Sequence, residues 1–410
     1  MPLTLFTGGR VLHPGAHELA EGDDILVEDD RIREIGPGLK ASSARRIELN
    51  GKTIMPGLID AHVHAVAWLI NTAANAAAPA SLVALRAHRT LSDMLMRGFT
   101  TVRDVGGADV GIKMAVEEGL VPGPRFIQCG NALGQTGGHI DIRSRNARPS
   151  TDPIGFGALG RVCDGVDEVR RCVREELKRG AEFVKLMANG GVSTPHDSLR
   201  SLQFSRDEIL VAVEEAENFG TYVSAHVYSD KAILRAVECG VHSLEHCNLI
   251  SPTTARLAAE KGAIACPTLT VFEALMREGP KIGLSASALA KADEVRRAGL
   301  ESLDIMRQAG LAMAFGTDLP GQLNAGYQSM EFALRSEVLS PREIIASATV
   351  TSARLCGMEG RIGVIEPDAL ADLLVIDGDP LRDIGVLQEE GRHMPLIMRN
   401  GTIFKNTLAT

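Results

Sequence analysis

Pro56-Gly57-Leu58-Ile59-Asp60-Ala61-His62-Val63-His64 is an apolar run that closes on two histidines separated by one residue. Successive side chains of an extended strand alternate faces, so His62 and His64 point to the same side. Two imidazoles on one side can grip one metal ion. Lys185, His226, His246 and Asp318 follow, each near the end of a later strand-like run. An ordered set of this kind points to a hydrolytic metal site.

Outward from this run the pattern alternates strand and helix. Residues 57–63, 100–105, 125–130, 183–188, 222–227, 243–247, 263–268 and 312–317 read as strands. Amphipathic stretches such as 166–179, 206–219 and 253–261 read as the helices between them. Eight such units over roughly 300 residues is what a (β/α)8 barrel, the TIM barrel, requires. In that α/β fold the chemistry gathers at the C-terminal ends of the strands. His62, His64, Lys185, His226, His246 and Asp318 fall there, on the first, fourth, fifth, sixth and eighth strands. An open doubly wound sheet, the alternative, would spread them along one edge.

Short β-like runs at 3–6, 24–27, 31–35 and 46–49 precede the barrel, punctuated by Gly8-Gly9, Gly36-Pro37-Gly38 and Asn50-Gly51. A strand at 371–376, the turn Asp377-Gly378-Asp379-Pro380 and a hairpin at 395–405 around Asn400-Gly401 follow it. The two ends are expected to build one small β-sandwich. That gives a composite domain of 1–55 with 359–410, and a barrel domain of 56–358.

The 410 residues allow more than one domain, and 45% hydrophobic with 23% charged residues is an ordinary globular composition. A net charge of −9 with a pI near 5.7 argues against a nucleic-acid surface. No apolar run reaches the roughly 18 residues of a membrane span. The start, Met1-Pro2-Leu3-Thr4-Leu5-Phe6, has no basic segment leading into an apolar core, so a cytoplasmic location without a signal peptide is expected. The seven scattered cysteines form no CxxC pair and read as buried free thiols of a reducing compartment.

Two connections stand out. The stretch 131–163 far exceeds the roughly 2–6 residues of an ordinary βα loop. It carries Gly137-Gly138-His139 and the charges Asp141, Arg143, Arg145 and Arg148. Such a loop either lines the substrate site or is a plain insertion. The stretch 65–85 is alanine-rich and holds the single tryptophan, Trp68. It reads as helical core packing or, in a sharper version, as a substrate wall.

Imidazole and carboxylate ligands suit zinc and related ions. His62, His64 and Asp318 would hold one ion, and His226 with His246 a second. Lys185 lies in the apolar strand Phe183-Val184-Lys185-Leu186-Met187. Burial favours its neutral amine, which can take up carbon dioxide as a carbamate and bridge two metals. The plain alternative is a lysine ion-paired to Asp or Glu inside the barrel. Two metals sharing a water generate hydroxide near neutral pH. Asp318 can take the proton of that water and later deliver it to a leaving nitrogen. His139 is either a donor to the developing oxyanion or a surface loop residue. Tyr228 shares a side with His226 and can meet a substrate carboxylate or carbonyl, or simply pack. Asn189-Gly190-Gly191-Val192-Ser193 is a flexible loop whose backbone, at Gly191 and Val192, can approach a substrate. Arg143 and Arg145 either pair with a substrate carboxylate or are solvated charges. The catalytic set is therefore Asp318, His139 and Lys185.

The chain resembles the metal-dependent amidohydrolase superfamily. The matching elements are 56–64, Thr100-Thr101-Val102-Arg103-Asp104, Val184-Lys185-Leu186, Ala225-His226, Leu244-Glu245-His246, Gly316-Thr317-Asp318 and the segment 363–379. Gly137-Gly138-His139 and Gly190-Gly191-Val192 make it similar to one branch. That branch holds imidazolonepropionase-like proteins, prolidase-like Xaa-Pro and Xaa-Lys/Arg dipeptidases, and bacterial ochratoxin-hydrolysing amidohydrolases. The resemblance implies a barrel with a split β-sandwich and two divalent ions, zinc by expectation, bridged by a carbamate on Lys185. It implies hydrolysis of the amide bond of N-acyl amino acids or dipeptides, with aromatic amides such as ochratoxin A among them. It places His139 and Tyr228 on the substrate amide and C-terminal carboxylate, and implies a homo-oligomer as large as an octamer. Two departures bear on the substrate. Leu319-Pro320-Gly321-Gln322-Leu323-Asn324 lacks the histidine that related chains carry there, and the segment after His64 is unusually rich in alanine. An uncharged approach favours apolar or aromatic amides over basic dipeptides. The competing functions are a cyclic amide or lactone hydrolase, a one-metal deaminase, which Lys185 argues against, and a non-enzymatic scaffold, which six intact ligands argue against.

Overall fold

The computed structural model describes residues 3–144, 146–147, 155–194 and 197–408; Arg145 and Arg148, singled out above, lie outside the described residues. The fold is mixed α/β, built on parallel strands. Leu58–Val63, Phe99–Asp104 and Arg125–Gln128 form one parallel arc with Phe99–Asp104 in its centre. A second arc runs Gly160–Val162, Ala132–Gly134, Val184–Met187, Val223–Ser229, Ser243–Leu249, Ile264–Cys266, Ala312–Met313. Backbone hydrogen bonds cross both seams between the arcs. Ala61 N donates to Phe315 O (2.7 Å), Asp318 N to His62 O (2.8 Å), and Glu182 N to Gln128 O (2.8 Å).

All eight expected strands are present, with shifted ends. The last is the most reduced, to Ala312–Met313. Beyond it residues 314–318 make single bonds to alternating neighbours, among them Ala314 N to Ala265 O and Phe315 N to Ser352 Oγ, and so form no ladder. The long 131–163 connection is not a plain loop. It contributes two strands, Ala132–Gly134 and Gly160–Val162, which pair with each other in parallel. Two helices show start signals legible in the sequence. Arg206–Asn218 starts with a capping box between Ser205 and Glu208, and Val166–Lys178 carries Asp167 and Glu168 in its first turn.

The chain ends build two further sheets, the first from N-terminal strands alone and the second from both ends. One orders Arg31–Gly36, Asp24–Glu28, Leu3–Thr7 and Arg45–Glu48; the other joins Thr53–Pro56 antiparallel to Leu373–Ile376, which pairs with the hairpin strand Leu396–Arg399. Leu373–Ile376 is buried on both faces. Leu373 and Val375 pack with Phe6, Ile25 and Ile54, whereas Leu374 and Ile376 pack into the large core under the parallel strands. Period-two alternation thus serves two cores at once, and a one-residue slip would exchange them. In the alanine-rich segment, helices Thr72–Ala76 and Ala80–Met96 follow an irregular stretch. Trp68 packs under the Arg86 guanidinium and against Gly321. No helix of the described residues is long and apolar enough to cross a membrane, and the seven cysteines are free.

Candidate metal centre

His62 and His64 leave their strand on the same side, as the alternation requires. Each ring is held by its inner nitrogen. His62 Nδ1 lies 2.6 Å from Glu245 Oε2, and His64 Nδ1 lies 3.0 Å from Gly106 O. A carboxylate and a carbonyl accept only, so Nδ1 carries a proton in both rings and Nε2 is the atom turned to the site. The two Nε2 atoms converge on Asp318 Oδ1, at 3.3 and 3.4 Å. Glycine is needed at Gly316, because a Cβ there would lie 2.5 Å from Cys266 Sγ and 2.7 Å from His62 Cβ. Asp318 and His246 both hold left-handed backbone, with φ of 56° and 73°. For non-glycine residues that costs of order 1–3 kcal/mol each and marks built sites.

His246 Nδ1 lies 2.7 Å from Thr268 Oγ1 and 4.0 Å from Asp318 Oδ2. The imidazoles form a continuous row: His62 to His246 at 4.9 Å between ring centres, His246 to His226 at 4.7 Å, His226 to His139 at 4.5 Å. His226 Nε2 is buried without a hydrogen-bond partner among the described residues. Such an atom calls for a ligand. Burial pushes His226 and His246 well below the usual histidine range, towards the neutral form that binds metal. Burial also raises the Asp318 carboxyl, yet His62, His64 and His246 outweigh it and hold the group well below the usual carboxylate range. Lys185 is 1% exposed, and forms no ion pair within 4.0 Å among the described residues. Burial lowers its amine, with Glu245 opposing and Arg103 assisting. The buried ion pair weighed above is therefore not how this lysine is accommodated.

The donor set fits divalent metal. His62, His246 and Asp318 each bring one ligand atom within 4.8 Å of the others. His62, Glu245 and Cys266 do so as well. That second group is occupied by its own bonds. Glu245 Oε1 accepts from Arg103, Ser224 and Ser243, each at 2.6 Å, and burial keeps the Cys266 thiol protonated.

Glu245 and Arg103 had been visible only as motif letters. They form a buried support beneath the site: Arg103 also donates to Ala61 O at 2.7 Å and lies over Phe183. Both side chains are 0% exposed. Arg103→Met would leave Glu245 with an unpaired buried charge, and is expected to destabilise the fold by about 3–5 kcal/mol. Chemical denaturation checks this; a loss below about 1 kcal/mol would show the pair to be dispensable. Asp60 and Asp104 act similarly. Asp60 accepts from Thr317 Oγ1 and Gln328 Nε2, tying the first strand to the Asp318 loop. Asp104 accepts from Ala65 N and Gly106 N, setting the turn that holds His64.

One cavity opens onto His62, His64, Lys185, His226, His246 and Asp318 together. His139, Tyr228 and Val192 line it too. Tyr228 is buried and stacks on His246 at 4.9 Å. His139 stacks nearly parallel on His226, with Nδ1 2.8 Å from Thr194 Oγ1. Gly191 does not line the cavity. Its missing side chain makes room for the His139 ring, whose Cε1 would lie 1.9 Å from a Cβ there. Arg143 is held by Asp141 through two bonds of 2.7 Å. The remaining wall is mostly apolar, with Thr72 and Ser193 its polar members: Leu69, Ile70, Val271, Phe272, Leu275 and Leu284 belong to it, whereas Trp68 does not. Val271 to Leu284 come from a helix and turn with no chemical motif, so sequence alone had no means of finding them.

The family profile described as "Amidohydrolase family" matches residues 53–403. Ochratoxinase of Aspergillus niger is 33% identical over 431 aligned positions, covering 98% of this chain and 87% of that protein. A crystal structure of an amidohydrolase is 51% identical and superposes with a TM-score of 0.97, covering 99% of this chain and 100% of that one. A crystal structure of a prolidase complexed with N-methylphosphonate-L-proline is 44% identical, with a TM-score of 0.97 and the same coverage. The chain belongs to the amidohydrolase family and is a hydrolase acting on amide bonds.

Proposed function

We propose that this protein is a two-metal hydrolase that cleaves the amide bond of N-acyl amino acids or dipeptides, with preference for apolar or aromatic residues. The observation that carries this reading is the cavity itself. Imidazoles, Asp318 and a buried Lys185, without an ion pair among the described residues, converge at its floor, and mostly apolar side chains form its wall. Asp318 is the cavity's single carboxylate among the described residues, so no other described lining residue would neutralise a basic side chain. The similar proteins described above include an ochratoxinase and a prolidase, which suits an amide beside a terminal amino acid.

In this reading His62, His64 and Asp318 would hold one ion and His226 and His246 the other, and Lys185, as a carbamate formed from carbon dioxide, would supply an anionic ligand to the pair. When bound, two divalent ions, zinc by preference, would supply hydroxide at neutral pH and Lewis acidity toward the scissile carbonyl. Asp318, poised between two imidazoles, accepts the proton of the attacking water and returns it to the leaving nitrogen. His139 turns Nδ1 to Thr194, which leaves Nε2 as the ring nitrogen that would meet the oxyanion. Tyr228 and the Val192 segment receive the amino-acid end of the substrate. We also take the two arcs as one closed (β/α)8 barrel over 56–358, because backbone bonds cross both seams. The terminal sheets, 1–55 with 359–410, then form the β-sandwich.

Metal analysis tests the reading against its competitor. Two ions per chain and release of an amino acid are expected. One ion per chain with release of ammonia would make the protein a deaminase instead.

A further inference from the structure

We infer that Lys291 is a positioning residue of this active site: it anchors the backbone at Gly191, Thr194 and Asp197, and through Asp197 fixes the His139 imidazole towards the cavity. The inference rests on the substrate-facing role given to His139 above. Lys291 projects from helix Ala286–Gln308, far along the chain from those residues. Its side chain is 15% exposed. Nζ donates to three backbone carbonyls, Gly191 O at 2.6 Å, Thr194 O at 2.7 Å and Asp197 O at 3.3 Å. An ammonium has three donors, so this cradle uses all of them. It also lies 3.5 Å from Asp197 Oδ1, an oxygen with no hydrogen bond among the described residues. Without the lysine, a carboxylate that is 2% exposed would be left with its charge poorly met.

Asp197 passes the constraint to His139. Its Oδ2 accepts from Gly191 N at 3.0 Å and Gln203 Nε2 at 3.2 Å, and lies 3.6 Å from His139 Nδ1. Gln203 Oε1 accepts from His139 N at 2.9 Å. Thr194 Oγ1 donates to His139 O at 2.6 Å. Backbone and ring of His139 are thus gripped by Thr194 and Asp197, and the backbone at both is gripped by one ammonium. The ring nitrogen left over, Nε2, has no partner among the described residues. Misplacing a catalytic group by about 1 Å can cost on the order of 10²-fold in rate, so an anchor at this remove is worth building.

The test is a set of double-mutant cycles on metal-loaded full-length protein with N-acetyl-L-phenylalanine. Lys291→Met and Asp197→Asn break the chain at different links, so one stays informative if the other folds poorly. Each is expected to lower kcat by roughly 10-fold with little change in KM or metal content, as for a group acting through position. In a His139→Ala background neither should lower kcat further by more than about twofold, since the coupled partner is already gone. An undiminished loss in that background overturns this inference alone. A silent His139→Ala overturns it together with the role given to His139. A crystal structure of Lys291→Met gives a readout that needs no substrate. The anchored residues are expected to shift and the ring to leave Asp197; a ring unmoved from its place refutes the anchor.

Discussion

Asp318→Asn is expected to keep the fold and to lower kcat by about 10²–10⁴-fold, the range for a lost acid–base group. Asparagine preserves the shape and can still sit on the left-handed backbone at this position, which asparagine tolerates well. It removes the charge that His62, His64 and His246 surround, and with it the proton acceptor. KM should move far less than kcat, because the proton is transferred on the way to the transition state rather than on binding. Circular dichroism and Tm serve as the folding control. A variant that turns over within a few-fold of the parent would remove Asp318 from the chemistry.

Lys185→Ala is expected to abolish most activity, by about 10²-fold or more, together with loss of metal. The amine is buried, lacks an ion pair among the described residues and is pushed towards its neutral form, the state that reacts with carbon dioxide. Alanine leaves a gap where an anionic ligand would sit. A short carboxylic acid such as propionate should enter and restore part of the activity and the second ion. Full activity without added acid would end the carbamate assignment. Loss of activity with both ions retained would do the same, and would leave Lys185 a purely electrostatic part.

The fold was legible where two periodicities met. Strands read as short apolar runs, and amphipathic helices such as Arg206–Asn218 carried their own start signals. The eighth strand was legible only in outline, because residues 314–318 trade a ladder for single bonds that aim Asp318. The strands inside 131–163 escaped because three-residue strands have no periodicity to read. The chemical groups at strand ends were legible because parallel α/β sheets gather their chemistry at the C-terminal ends of the strands. What holds them was not. Glu245 sits next to His246 in sequence yet points to the other neighbours, Arg103 and His62. Lys291 reaches its three carbonyls from about a hundred residues away, and no local pattern announces a contact of that range. Gly191 shows the reverse error of scale. A glycine expected to let a substrate approach instead lets His139 approach.

The most direct measurement is amino-acid release by metal-loaded protein from a panel of N-acyl amino acids and dipeptides. Its members end in aromatic, proline and basic residues, and include the phenylalanine amide ochratoxin A. The account predicts fastest release from the aromatic and apolar members, with basic members at least about tenfold slower for want of a neutralising carboxylate. Equal rates on phenylalanine- and lysine-terminated substrates would contradict the assigned preference. Silence across the panel with two ions bound would contradict the linear amide itself, and direct the same site to cyclic amides or lactones.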